Sequence, residues 1–273
     1  MCETDIFPLF ELRVKLSISS LAPGAPVLVL GNSLGTHTDL WRDHLDWMEA
    51  SHTVVRFDYP GHGEESDVRD IGTVEDMSAS LHAELAAAGI TKFHFCGVSL
   101  GGALGIALAA HFPESVESLV ISNSGATLGN RAFWEARMGI VESGGVGAIA
   151  DATVGRWLSE NRSSGPAASW LRDMFVTTSK TGYMACAAAV MDFDGTSLLG
   201  RISARTLVIS GTLDAATPAA LGQELARRIS GAIYVEIPCA HIAPVDAPAE
   251  FRVAVEHFRC DRRSSGSEAG LER

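Results

Sequence analysis

Seven short runs rich in Val, Ile and Leu recur along the chain, most of them separated by helix-like stretches. Such a rhythm points to a mainly parallel sheet, because a parallel neighbour needs a long crossover and a helix supplies it. The runs are LRVKLSI (12–18), PVLVLGN (26–32), TVVRFD (53–58), KFHFCG (92–97), VESLVISN (116–123), RTLVISG (205–211) and AIYVEIP (232–238). The first alternates in polarity, as an edge strand does, and the middle ones are continuously apolar, as strands covered on both faces are. Helices are expected at 39–50, 73–88, 100–112, 217–230 and 247–259. Asp39, Thr73 and Thr217 are candidate amino-terminal caps or near-caps, and Pro218 suits a first helical position.

Residues 130–200 break the rhythm with RAFWEARMGIVESGG, GAIADATVGRWLSE, SWLRDMFVTTS and GYMACAAAVMDFD, which read as several helices with no strand between them. The expected organisation is a core over 1–129, an inserted helical cap over 130–200, the rest of the core over 201–260 and a polar, disordered tail over 261–273. With 273 residues, 47% of them apolar, the chain can bury one large α/β domain with an insertion.

Twenty-one basic residues stand against 33 acidic ones, a net charge of −12, and the basic residues are scattered. Without a basic stripe, nucleic acid is excluded as a partner. No apolar run approaches the ~20 residues that span a bilayer. The start, MCETDIFPLF, lacks a basic targeting region. No membrane partner is expected, and the cytoplasm is the expected location. The five cysteines are odd in number and far apart, which suits reduced thiols. Neither an HExxH spacing nor a Cys/His cluster occurs, and the GGALG glycines belong to a serine turn better than to a phosphate cradle. No metal and no cofactor is expected.

Between KFHFCG and the helix-like LGGALGIALAAHF lies Gly97-Val98-Ser99-Leu100-Gly101, a G-x-S-x-G turn. Glycines two residues to either side let a strand and a helix pass closely, with the serine on a strained turn between them. A serine hydroxyl is nearly inert at neutral pH, so a base must take its proton and a carboxylate must orient that base. On this scaffold the partners follow in the order serine, acid, histidine. Of the downstream histidines, His111 and His257 fall on helices, whereas His241 sits in the loop after the last strand. Asp214, in LVISGTLDAATP, occupies the loop after the penultimate strand, while its rivals Asp192 and Asp194 belong to the cap.

Two backbone N–H groups must also face the developing oxyanion. The Leu100 amide is one, and the Leu34 amide in LGNSLGTHTD is the other candidate, with Asn32 and Ser33 bracing the loop; a plain glycine-bearing turn explains that segment equally well. Asp58 and His62 in FDYPGHGEES precede the serine and read as structural. Trp134, Trp157, Trp170 and Met184 are expected to roof the pocket or to fasten the cap to the core.

GVSLGG, GTLDAATP and CAHIAPVDAP, with the loop DYPGHGEES, resemble the α/β-hydrolase family. Within it, LVLGNSLGT, HFCGVSLGG, WEARMGIVESGGVGAIADATVGRW, GYMACAAAVMDFD and RISARTLVISGTLDAATP are similar to the 3-oxoadipate enol-lactonases of protocatechuate and catechol breakdown. The likeness runs over about residues 26–258, cap included. It implies a mostly parallel, twisted sheet flanked by helices and the opening of a small enol-lactone to a 3-oxo acid. Ser99 would then be nucleophile, Asp214 the orienting acid, His241 the base, and the Leu34 and Leu100 amides the oxyanion hole.

Such lactonases tend to carry arginine where this chain has Pro60 and Met191. Arg131 and Arg137, flanking Trp134, are candidates to compensate, and Asn32, Trp134 and Arg137 are the expected substrate contacts. The expected partner is a small lactone or ester, with a homodimer left open. The rival readings are a carboxylesterase or another lactonase on the same scaffold, and a non-catalytic ligand-binding module.

Overall fold

The computed structural model describes residues 14–19, 24–64 and 71–260. Residues 12 and 13 of the first expected strand, Glu65 and Ser66 of the third loop, Cys2 and the expected tail at 261–273 lie outside the described residues.

One sheet holds β1 (Leu16–Ile18), β2 (Val27–Gly31), β3 (Thr53–Phe57), β4 (Phe93–Val98), β5 (Val116–Ser122), β6 (Arg205–Gly211) and β7 (Ile233–Ile237). The spatial order is β1-β3-β2-β4-β5-β6-β7. The polar first strand is an edge strand, antiparallel to β3, and every other pairing is parallel. β4 lies in the middle with all six residues buried, and β7, at the far edge, leaves Ile233 and Glu236 exposed. The expected mostly parallel sheet flanked by helices is present.

A 3-10 segment (Thr38–His44) leads into α1 (Leu45–Glu49), followed by α2 (Val74–Ala87) and α3 (Leu100–His111). Between β5 and β6 the chain makes α4 (Arg131–Gly144), α5 (Ala150–Trp157), α6 (Pro166–Val176) and α7 (Lys180–Asp192) with no strand among them. After β6 come α8 (Ala219–Arg228), α9 (Ala243–Asp246) and α10 (Pro248–Cys260). No helix among the described residues is long and apolar enough to cross a membrane.

Thr73 caps α2 through a reciprocal box: its hydroxyl accepts from the Asp76 N–H (3.1 Å), and Asp76 accepts from the Thr73 N–H (2.9 Å). The other two candidates lie beside the cap position instead of at it. The first turn opens at Thr38, one residue early, so His37 is the cap and Asp39 lies inside the turn. α8 opens at Ala219 behind Pro218, and the Thr217 hydroxyl is turned to Asp214 instead.

α3 is apolar on every face and buried from Leu100 to Ala110, as a helix must be when a sheet and a second helix, here α2, both cover it. Its first turn meets the sheet backbone to backbone. A Cβ on Gly97 would stand 2.2 Å from the Gly101 carbonyl oxygen, and one on Gly101 would stand 2.3 Å from the Gly31 carbonyl oxygen. Glycine is required at both positions because backbone cannot give way as a side chain can. Gly101→Ala is therefore expected to lower the urea midpoint by the equivalent of about 3 kcal/mol with the slope unchanged; a midpoint equal to wild type in urea titration contradicts this packing.

Candidate active site

Ser99 stands between β4 and α3 with φ 56 and ψ −114, a left-handed conformation that costs a non-glycine residue on the order of 1–3 kcal/mol. Neighbours hold it there. Its N–H donates to the Ser122 carbonyl of β5 (3.0 Å), and its own carbonyl accepts from the Ala103 N–H (3.0 Å) and the Ser124 hydroxyl (2.8 Å). The side chain lines a cavity of about 260 Å³ at the carboxyl ends of the strands. A larger space of about 770 Å³ lies at the opposite ends of the strands, beside His94 and Arg205, and none of the serine-site residues lines it.

Asp214 follows β6 and its side chain is wholly buried. One oxygen accepts the N–H groups of Ala216 (2.8 Å) and Thr217 (2.9 Å). The other accepts the Thr217 hydroxyl (2.5 Å), the Asn123 amide (3.0 Å) and Nδ1–H of His241 (2.9 Å). Burial alone would push this carboxyl up, but the charge and hydrogen bond of His241 and the two bonds from Thr217 outweigh it and hold it at about 2. Pairing at Nδ1 leaves Nε2 of His241 as the nitrogen free to take a proton. His241 and Ser99 line the same cavity.

Leu34 and Leu100 also line the cavity, and neither backbone N–H donates to another described residue. The loop of Leu34 is fastened on both sides. The Gly35 N–H donates to Nε2 of His62 (3.0 Å), whose Nδ1–H goes to the Pro60 carbonyl (3.1 Å), and the Thr38 N–H donates to Asp58 (2.7 Å). Burial holds His62 at about 4, so it is neutral at neutral pH and accepts at Nε2. Asp58 and His62 thus brace the loop that carries Leu34.

Asn32 corrects an expectation. It is fully buried and does not line the cavity. Its amide donates to the Phe57 carbonyl (2.7 Å) and its side-chain oxygen accepts from Trp41 Nε1 (2.9 Å), so both polar ends of the side chain are turned to the core instead of the cavity. Arg131 is also spent elsewhere, on Asp192 (2.5 Å) and Glu135 (3.8 Å) at the surface. Neither Pro60 nor Met191 lines the cavity.

The cap supplies the far wall. Trp134 and Trp157 line it, whereas Trp170 lies under the Arg42 guanidinium, 3.8 Å from its ring centre, and joins cap to core. Arg137 donates to the Tyr183 hydroxyl (2.5 Å) and the Thr153 hydroxyl (2.5 Å), both neutral. Arg156, which the sequence reading did not single out, lines the same wall, and its pKa is lowered first by burial and then by the charge of Arg137. Neither guanidinium forms an ion pair with a carboxylate among the described residues. Two adjacent cations facing a cavity without a counter-charge make a ready place for an anionic group. No group of three His, Cys, Asp or Glu side chains able to hold a metal occurs among the described residues.

A strained serine turn, a buried Asp–His pair arriving in that order, and two unengaged amides on one sheet edge define a serine-hydrolase architecture. Residues 21–254 match the model of the alpha/beta hydrolase family, and the chain belongs to that family. It is similar to 3-oxoadipate enol-lactonase 2 of Acinetobacter baylyi, 31% identical over 91% of this chain and 97% of that one. Against 3-oxoadipate enol-lactonase 1 of the same organism it is 29% identical over 86% of this chain and 90% of that one. Among solved structures, the enol-lactonase from Burkholderia xenovorans superposes with a TM-score of 0.87 at 32% identity, covering 90% of this chain and 96% of that one. Family and relatives together support hydrolase activity.

Because the Asp214 carboxyl is depressed in the folded state, it contributes stability above its ordinary value of 3.8 and loses it as pH falls toward about 2. Asp214→Asn lacks this contribution. Urea unfolding is expected to find the variant about 2 kcal/mol less stable than wild type at pH 7 and the difference closing between pH 4 and 2; a difference independent of pH contradicts the pairing.

Proposed function

We propose that this chain is a lactonase that opens a small anionic enol-lactone, with 3-oxoadipate enol-lactone the substrate that suits it best. The observation that carries the reading is the pair of unneutralised guanidiniums, Arg137 and Arg156, lining the same cavity as Ser99. A neutral ester has no use for them, whereas a substrate carboxylate meets them directly. The enol-lactonase relatives support the same class.

In this mechanism the substrate carboxylate docks on the cap arginines, which leaves the lactone carbonyl toward Ser99. His241 takes the Ser99 proton at Nε2 while Asp214 steadies Nδ1–H. The oxygen of Ser99 bonds to the carbonyl carbon, and the Leu34 and Leu100 amides hold the oxyanion. Collapse breaks the ring C–O bond, and His241 passes the proton it took from Ser99 to the departing enolate, which becomes a ketone and leaves the imidazole neutral. Water gives a proton to His241 and its oxygen to the acyl carbon, freeing the 3-oxo acid and restoring Ser99. The unbridged Cys96, Cys186 and Cys239 suit a reducing compartment, and we place the reaction in the cytoplasm.

Ser99→Ala is expected to reduce kcat by about a thousandfold or more with the fold intact. Arg156→Met should lower kcat/KM for the enol-lactone by about a hundredfold. The same variant should leave neutral p-nitrophenyl acetate within about threefold of wild type. Steady-state kinetics on both substrates decide it: a wild-type preference for the neutral ester, or an equal loss on both in Arg156→Met, overturns the reading.

A further inference from the structure

Ser99 and Asn123 are the two non-glycine residues with positive φ among the described residues, at 56 and 48. They end neighbouring parallel strands, β4 and β5. A glycine would hold the Asn123 backbone without strain, so the side chain must supply something a glycine lacks. Asn123 is buried, and its amide donates twice: to Asp214 (3.0 Å) and to the carbonyl of Ala240 (3.0 Å). Its own side-chain oxygen accepts from the Ser122 hydroxyl (2.8 Å).

Ala240 directly precedes His241, and its N–H is held as well, by Asp246 (2.7 Å). The other oxygen of Asp246 accepts the N–H (3.0 Å) and the hydroxyl (2.7 Å) of Ser159, between α5 and α6, with Arg162 Nε 3.8 Å away. On the other side of the histidine, the Ile242 N–H donates to the Trp157 carbonyl (3.0 Å). Neither Asn123 nor Asp246 lines the cavity.

We propose that Asn123 and Asp246 are positioning residues for His241, gripping Ala240 by its carbonyl from the sheet and by its N–H from the cap side. This inference rests on the Ser–His–Asp reading of the site. Asn123 sets two things with one group, since the amide that fixes Ala240 also fixes the carboxylate that orients the imidazole. Asp246 joins the same backbone to the cap segment that contains Trp157 and follows Arg156. The nitrogen of the base is thereby placed from core and cap together, and a displacement near 1 Å can cost on the order of a hundredfold in rate.

The test uses Asn123→Gly, which keeps the left-handed backbone and deletes only the amide, and Asp246→Asn, which removes one acceptor from the grip. Each is expected to lower kcat on p-nitrophenyl acetate by about ten- to a hundredfold, with KM within about twofold of wild type. The low-field Nδ1–H proton resonance of His241 should broaden or vanish in both, with the far-ultraviolet circular dichroism of wild type. Ser159→Ala removes a single donor and should lower kcat by about threefold. Folded Asn123→Gly and Asp246→Asn chains with wild-type kcat and resonance overturn the proposal; if neither folds, wild-type kcat and resonance in Ser159→Ala overturn it. The resonance needs no substrate, so a wild-type chain that keeps it yet leaves the lactone unopened counts against the lactonase reading alone.

Discussion

The Gly101 N–H donates to the Asn32 carbonyl at 2.9 Å, and this one bond fixes the serine turn against the neighbouring loop. It is possible only because β2, β4 and α3 touch through glycine backbone, with Gly31, Gly97 and Gly101 closer than any Cβ allows. Asn32 is in turn held by Trp41, Phe57 and Tyr59, all buried. The separation of the Leu34 and Leu100 amides is therefore a property of the core. Electrostatic preorganisation of that kind costs no rearrangement at the moment of reaction.

The charge distribution divides the labour between layers. In the proposed mechanism the core carries the nucleophile, the base and a carboxylate held at about 2 by its partners. The cap carries two guanidiniums that line the cavity, and burial and the charge of Arg137 lower the pKa of Arg156. For the proposed anionic substrate, a chain of net charge −12 supplies no long-range attraction, so its recognition is local. Arg137 is kept in place by the Tyr183 and Thr153 hydroxyls, which orient it without cancelling its charge.

The middle strands were legible because their apolar runs are continuous and the first because it alternates, and Ser99, Asp214 and His241 stood out because each follows a strand in a fixed order. What sequence could not resolve was where each polar group spends its hydrogen bonds. Asn32 sits among loop residues, yet its side chain points into the core and bonds to Phe57 and Trp41 there. Thr217 looks like a helix cap, but the Asp214 carboxylate, reached only through the fold of the loop, is the stronger acceptor. Arg131 and Arg137 lie on the same helix and look alike in sequence; one meets Asp192 at the surface and the other meets neutral hydroxyls inside. Arg156 and Asn123 were not legible, since the Asn123 amide reaches Asp214 and Ala240, 91 and 117 residues on, and Arg156 is marked only by its place in the cavity wall.

Recognition and reactivity then share a segment. Arg156 and Trp157 face the cavity, the Trp157 carbonyl holds the residue after His241, and Ser159 holds the carboxylate that grips the residue before it. A cap altered at α5 to admit a different substrate would shift these backbone anchors along with the guanidinium. Packed interiors pass such shifts on instead of absorbing them. Substitutions that change specificity without cost in turnover should consequently fall on Trp134 and its neighbours in α4, which line the wall but hold no part of the histidine loop.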